Sequence, residues 1–147
     1  MVAVSRYDIE LAFAFVNSDA PMMHQAYVSL DTGQIYWFSE LNPTEQELPG
    51  DFETSDRYIA LPHKNTLGLG RNLALSFAED ELPNRYREVV AIFHRKGAYH
   101  RFKSLLASVG LLDKWYKFEE AALDKALQDW CAENGIQIVE ANDAEHL

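Results

Sequence analysis

Arg85, Arg87, Arg95, Lys96, Arg101, Lys103, Lys114 and Lys117 fall in one stretch that holds only two acidic residues, Glu88 and Asp113, a local balance of +6. The other 114 residues carry five basic and 21 acidic side chains, or −16. Guanidinium and ammonium groups gathered in this way are the chemistry of oxyanion recognition, whether the anion is a phosphate, a nucleic-acid backbone or an acidic partner. Helical phasing sorts the stretch. On a helix begun near Asn84, Tyr86, Val89, Val90 and Phe93 share the apolar face, which leaves Arg87, Glu88, His94 and Arg95 on its flanks or opposite side. On a helix begun at Ala98, the side chains of Ala98, Phe102, Leu105, Leu106 and Val109 turn inward, His100 and Lys103 turn outward, and Arg101 lies at the border. The expected contact site is therefore Arg95, Lys96, His100, Arg101 and Lys103 around Gly97, with the unpaired amides that open the second helix adding to the charge. Gly97 would also let backbone approach an anion closely. The commoner arrangement is different: the same cations pair with Glu119, Glu120 and Asp124, and Gly97 is only a helix stop.

Other chemistry-bearing residues say less. Gly68-Leu69-Gly70-Arg71-Asn72-Leu73 resembles a dinucleotide loop, yet Leu73 fills the third small-residue position and the neighbouring strands read as antiparallel. The five histidines, His24, His63, His94, His100 and His146, form no pair in metal-ligand register with a carboxylate, so neither a metal nor a cofactor is expected. Cys131, beside Trp130 near the end of an apolar helical face, reads as a buried, inert thiol. Glu119 is the one acid in the stripe Leu112, Trp115, Ala122, Leu123, Ala126 and Trp130; a structural ion pair with a cation such as Arg101 is the favoured reading over an acid catalyst. The chain has no G-x-S-x-G, H-E-x-x-H, C-x-x-C or glycine-rich lysine loop.

The elements that position these residues follow from patterning. Ser5 and Asp8 precede Ile9, Ala12, Phe13 and Val16 at helical spacing, predicting a helix from about Arg6 to Val16. AYVSL, DTG and QIYWFS predict a hairpin turning at Gly33, and RYIALP predicts a third strand ended by Pro62 after an acidic loop from Asn42 to Asp56. From Asn65 the period is helical, predicting segments near Leu67–Asp80, Asn84–Lys96, Ala98–Val109 and Leu112–Asn134, the last capped by Gly135 with Ile136 folding back. The expected fold is α+β: an N-terminal helix, a three-stranded antiparallel meander sheet, then a C-terminal lobe of about four helices. Residues 1–138 read as a single domain and 139–147 as a solvated tail. Tyr36, Trp37 and Phe38 are consecutive on a strand. Either Trp37 or the Tyr36 and Phe38 pair must face away from a helix on one side, where it could serve a ligand or a homodimer.

The run KGAYHRFK (Lys96 to Lys103) resembles a family of small bacterial proteins marked by a Gly-Ala-aromatic-x-Arg-Phe-Lys sequence, with Tyr99 standing where Phe is more usual. The likeness extends to YVSLDTGQIYWFSE (Tyr27 to Glu40), DRYIALP (Asp56 to Pro62), WYKF (Trp115 to Phe118) and ALQDWCAENGI (Ala126 to Ile136). It implies the same fold and a bacterial, cytoplasmic setting. It implies no reaction, ligand or partner.

Composition limits the rest. The 147 residues are 48% apolar and 24% charged, with eight Phe, seven Tyr and three Trp, which is ample material for one folded core. A net charge of −10 opposes general attraction to nucleic acid or anionic lipid. A lone cysteine closes no internal disulfide, as expected in the cytoplasm, and the N-terminus lacks the pattern of a signal peptide. No apolar run approaches the ~20 residues that span a bilayer. The function these features favour is a cytoplasmic binding or interaction module rather than an enzyme, whose basic helix corner contacts a phosphate-bearing ligand or an acidic protein. Two readings compete: a small enzyme with a carboxylate or histidine site near Glu119 or His100, and a nucleic-acid-binding protein.

Overall fold

Ser5 supplies the first helix with its cap: its Oγ accepts a hydrogen bond from the Asp8 amide at 3.1 Å, and Asp8 places a carboxylate in the first turn of α1 (Arg6–Val16). Ile9, Ala12, Phe13 and Val16 recur at helical spacing and are buried. The computed structural model describes residues 1–18, 23–40, 49–52 and 54–140, and these fall into two compact units. Residues 1–63 and 127–147 make the first unit, and 64–126 the second.

In the first unit, β2 (His24–Ser29) and β3 (Ile35–Ser39) form the expected hairpin. Gly33 turns it in the left-handed region at φ 78°, where its amide donates to the Ser29 carbonyl at 2.8 Å. β4 (Tyr58–Ala60) completes a three-stranded antiparallel sheet. Its strand order is β3-β2-β4, so β4 lies beside β2 and not beside β3 as in a meander. A meander needs a tight turn between neighbours; here the long connection from Glu40 to Arg57 lets the chain return to the far edge of β2. Trp37 turns toward α1, with its ring 5.0 Å from that of Phe15, so Tyr36 and Phe38 occupy the opposite face. There Tyr36 meets Tyr58 at 6.1 Å, and Phe52 packs edge-on against Tyr27 at 4.6 Å.

Two further strands were not expected from the sequence. β1 (Val2–Ser5) pairs in parallel with β5 (Ile136–Val139), from Val2 opposite Ile136 to Ser5 opposite Val139. Each is four residues long, too short for a periodic signal, and their partnership joins opposite ends of the chain. Of the expected tail, Val139 therefore closes a strand, and the Glu140 carboxylate accepts from Arg6 Nε at 2.7 Å. Residues 141–147, with His146, lie outside the described residues, as do 41–48 and 53 of the acidic loop.

The second unit is helical: α2 (Arg71–Glu81), a 3-10 turn at Pro83–Arg85, α3 (Tyr86–Ile92), α4 (Ala98–Ser108), and the start of α5 (Leu112–Glu133), whose end belongs to the first unit. Trp115, 1% exposed, is central to its core, with Phe102 at 5.1 Å and Phe77 at 5.3 Å, both edge to face. Ala74, Ala78, Val89 and Leu106 fill the space around these rings. Side chains the size of Val89, Leu106 and Phe102 each contribute about 1.5–3 kcal/mol when fully buried. Two expected boundaries shift. α2 begins at Arg71, not Leu67, because Gly68 is left-handed (φ 71°) and residues 64–68 form turns. α3 ends at Ile92, not Lys96, because the chain is already unwinding into the turn at Gly97. Among the described residues, no helix is long and apolar enough to cross a membrane.

Candidate anion-binding corner

The corner is built by the way α3 stops. After Ile92 the chain continues in single turns, with the His94 amide on the Ala91 carbonyl (3.2 Å) and the Arg95 amide on the Ile92 carbonyl (3.1 Å). Gly97 then adopts φ 72°, ψ 25°, and its carbonyl accepts from the Arg101 amide at 3.1 Å to begin α4. Phe93 anchors the inside of this bend, edge to face with Tyr99 at 5.2 Å and tilted on Phe102 at 5.4 Å. This accounts for much of the KGAYHRFK run: Gly97 supplies the left-handed turn, and Tyr99 and Phe102 supply rings for Phe93.

Outside the bend, Arg95, Lys96, His100 and Arg101 are exposed. Lys103 is half-buried, not outward, and its Nζ lies 5.6 Å from the centre of the Tyr116 ring. Arg101, expected at the border, is exposed instead. Val109, expected to point inward, is 39% exposed because α4 ends at Ser108 and Gly110 turns the chain at φ 75°.

Among the described residues, two of the eight cations in the stretch are ion-paired: Arg85 makes a two-pronged contact with Glu88 at 2.9 and 3.1 Å, and Lys114 reaches Glu81 at 2.7 Å. Arg95, Lys96, His100, Arg101 and Lys103 make no ion pair within 4.0 Å among the described residues. The expected neutralisation by Glu119, Glu120 and Asp124 therefore does not occur at this corner among the described residues. Glu119 is half-buried and makes no ion pair within 4.0 Å among the described residues. Its charge acts instead on Tyr99, whose hydroxyl is raised above its ordinary pKa first by burial and then by that carboxylate.

Arg95 and Arg101 line one pocket of about 190 Å³, together with Glu88, Ala91 and Ile92. Glu88, Ala91, Ile92 and Arg95 recur at i, i+3, i+4 and i+7, one face of α3 carried past its end, and Arg101 completes the wall from α4. That spacing was visible in the sequence; what was not visible is that Gly97 folds Arg101 back beside it. The first turn of α4 has no carboxylate and no side-chain cap, and Arg101 stands there against the positive end of the helix. Like charge in that position costs about 0.3–1 kcal/mol, and a bound anion would remove the cost.

The remaining candidates are placed as follows. Gly70 caps α2 and leaves no room for a Cβ against the Asn65 side chain; it follows an antiparallel edge strand, not a βαβ unit. Cys131 is buried, and desolvation pushes its thiol up to about 11 against the opposing pull of Arg6, so the thiolate is scarce at neutral pH. No protein-family model, curated protein or solved structure matches this chain.

Proposed function

We propose that the protein is a binding or interaction module that contacts an anionic ligand or an acidic partner through the basic corner between α3 and α4. The observation that carries this reading is that Arg95 and Arg101 are exposed, share one pocket and have no carboxylate partner within 4.0 Å among the described residues. Arginine suits the task because its planar fork stays charged and matches two oxygens of a carboxylate or phosphate. The family likeness of Lys96 to Lys103 adds a bacterial setting to the proposal and no ligand. A cytoplasmic location is part of it, supported by a lone buried cysteine.

The test is binding of a fluorescent poly-glutamate peptide and of inorganic phosphate. The affinity falls as salt is added, since exposed charges are screened over about 8–10 Å at physiological ionic strength. The Arg95→Glu/Arg101→Glu double variant loses at least about tenfold, the equivalent of one lost charge-assisted contact. Arg57→Gln is the control, because Arg57 is engaged with Asp31 at 3.0 Å in the first unit. Equal binding by the double variant and the wild type overturns the proposal.

A further inference from the structure

We infer that the pocket between Arg95 and Arg101 takes the phosphoryl group of a small phosphomonoester whose apolar body packs on Ala91 and Ile92; this rests on the reading of the corner as an anion site. Four features of the pocket narrow the ligand. Two guanidinium groups without a carboxylate partner among the described residues offer two positive charges, and a phosphomonoester carries about −1.5 to −2 near neutral pH, whereas a carboxylate supplies a single charge. Beside the guanidinium groups the wall is aliphatic, Ala91 and Ile92, which a bare inorganic ion would leave unused. The volume, about 190 Å³, equals the share of roughly six water molecules at ~30 Å³ each, enough for a phosphate and a compact body such as one ring.

The fourth feature is Glu88. Its carboxylate lines the same pocket and is held by Arg85 through both oxygens, at 2.9 and 3.1 Å. Its oxygens accept hydrogen bonds and donate none, so this wall offers a second phosphate no donor, and the pocket suits a single anionic head better than a diphosphate or a polynucleotide chain. The guanidinium groups thus hold the head, Ala91 and Ile92 receive the body, and the Glu88 wall gives a second phosphate nothing to bind.

Calorimetric titration with phenyl phosphate, inorganic phosphate, phenyl diphosphate and benzoate tests this. Phenyl phosphate binds about tenfold tighter than inorganic phosphate, the gain from burying roughly two methylenes' worth of ring. It also binds tighter than benzoate and than phenyl diphosphate. Ala91→Glu, an exposed helical position where a longer polar side chain is accommodated without disturbing the core, weakens phenyl phosphate by at least about tenfold through like-charge repulsion and lost contact. Glu88→Gln narrows the gap between phenyl diphosphate and phenyl phosphate. If phenyl phosphate binds no tighter than inorganic phosphate, or if phenyl diphosphate binds tightest to the wild type, the inference is overturned while the corner remains an anion site. If the poly-glutamate peptide binds and none of the phosphates does, the inference is likewise overturned. If no anion binds, both readings fall together.

Discussion

Replacing Gly97 by alanine separates its two conceivable roles, turning the chain and making room for a ligand. Gly97 has φ 72°, and a Cβ placed on it would meet no atom of the described residues within 4 Å beyond its chain neighbours. Alanine there therefore suffers no collision, only the left-handed conformation, at about 1–2 kcal/mol. Lower entropy of the unfolded chain offsets about 0.4–1 kcal/mol of that. The net loss is about 1 kcal/mol, and asparagine, which tolerates this region better, loses less. Gly33 provides the contrast: φ is 78°, and a Cβ would lie 2.6 Å from the Ala3 carbonyl oxygen. Gly33→Ala adds a backbone collision of roughly 1–3 kcal/mol to the same conformational penalty. Urea unfolding followed by tryptophan fluorescence reads both variants as midpoint shifts at constant slope. Gly97→Ala should also keep phosphate affinity within about threefold of wild type, less than the tenfold that one lost charge-assisted contact removes. Equal destabilisation at the two glycines, or phosphate binding abolished in a folded Gly97→Ala, would refute the reasoning.

Two titrations test the first unit. Cys131, buried and raised to about 11, should resist a thiol-specific disulfide reagent at neutral pH until the chain is unfolded by urea; labelling of the native protein at the rate of a free thiol contradicts that burial. Tyr58 is pushed from 10.0 up to about 12, first by the hydrogen bond its hydroxyl donates to Asp51 at 2.8 Å. Because the folded value lies above the unfolded one, its contribution to stability is complete below pH 10 and is lost as pH rises from 10 to 12. Asp51→Asn should return the tyrosinate absorbance curve of Tyr58 toward the ordinary range, and an unchanged curve counts against the hydrogen bond.

Much of the fold was legible because its signals are local. Ser5 before Ile9, Ala12, Phe13 and Val16 marks α1 to the residue, and the Gly33 turn between AYVSL and QIYWFS marks the hairpin. What escaped is non-local. The β1–β5 pair depends on two tetrapeptides at opposite ends of the chain, and the return of β4 to β2 depends on a connection whose path no pattern encodes. The site divides in the same way. Outward phasing of Arg95 and His100 could be counted from apolar stripes, and both residues are exposed. Arg101 and Lys103 exchanged roles because the burial of a long side chain depends on which aromatic, here Tyr116, stands beside it. Whether the cations are paired is a matter of distances between helices, and composition alone, with 23 acidic residues at hand, favoured neutralisation.

A nuclear magnetic resonance titration of the full chain with inorganic phosphate at low salt, observing arginine Nε–H and backbone amide resonances, puts the central claim to its most direct test. Arg95 and Arg101 side-chain signals and the amides of Gly97 and Ala98 are expected to shift together and saturably, while Arg85, already held by Glu88, moves little. Saturable shifts confined to Arg57 or Arg6, or none at Arg95 and Arg101, would contradict it.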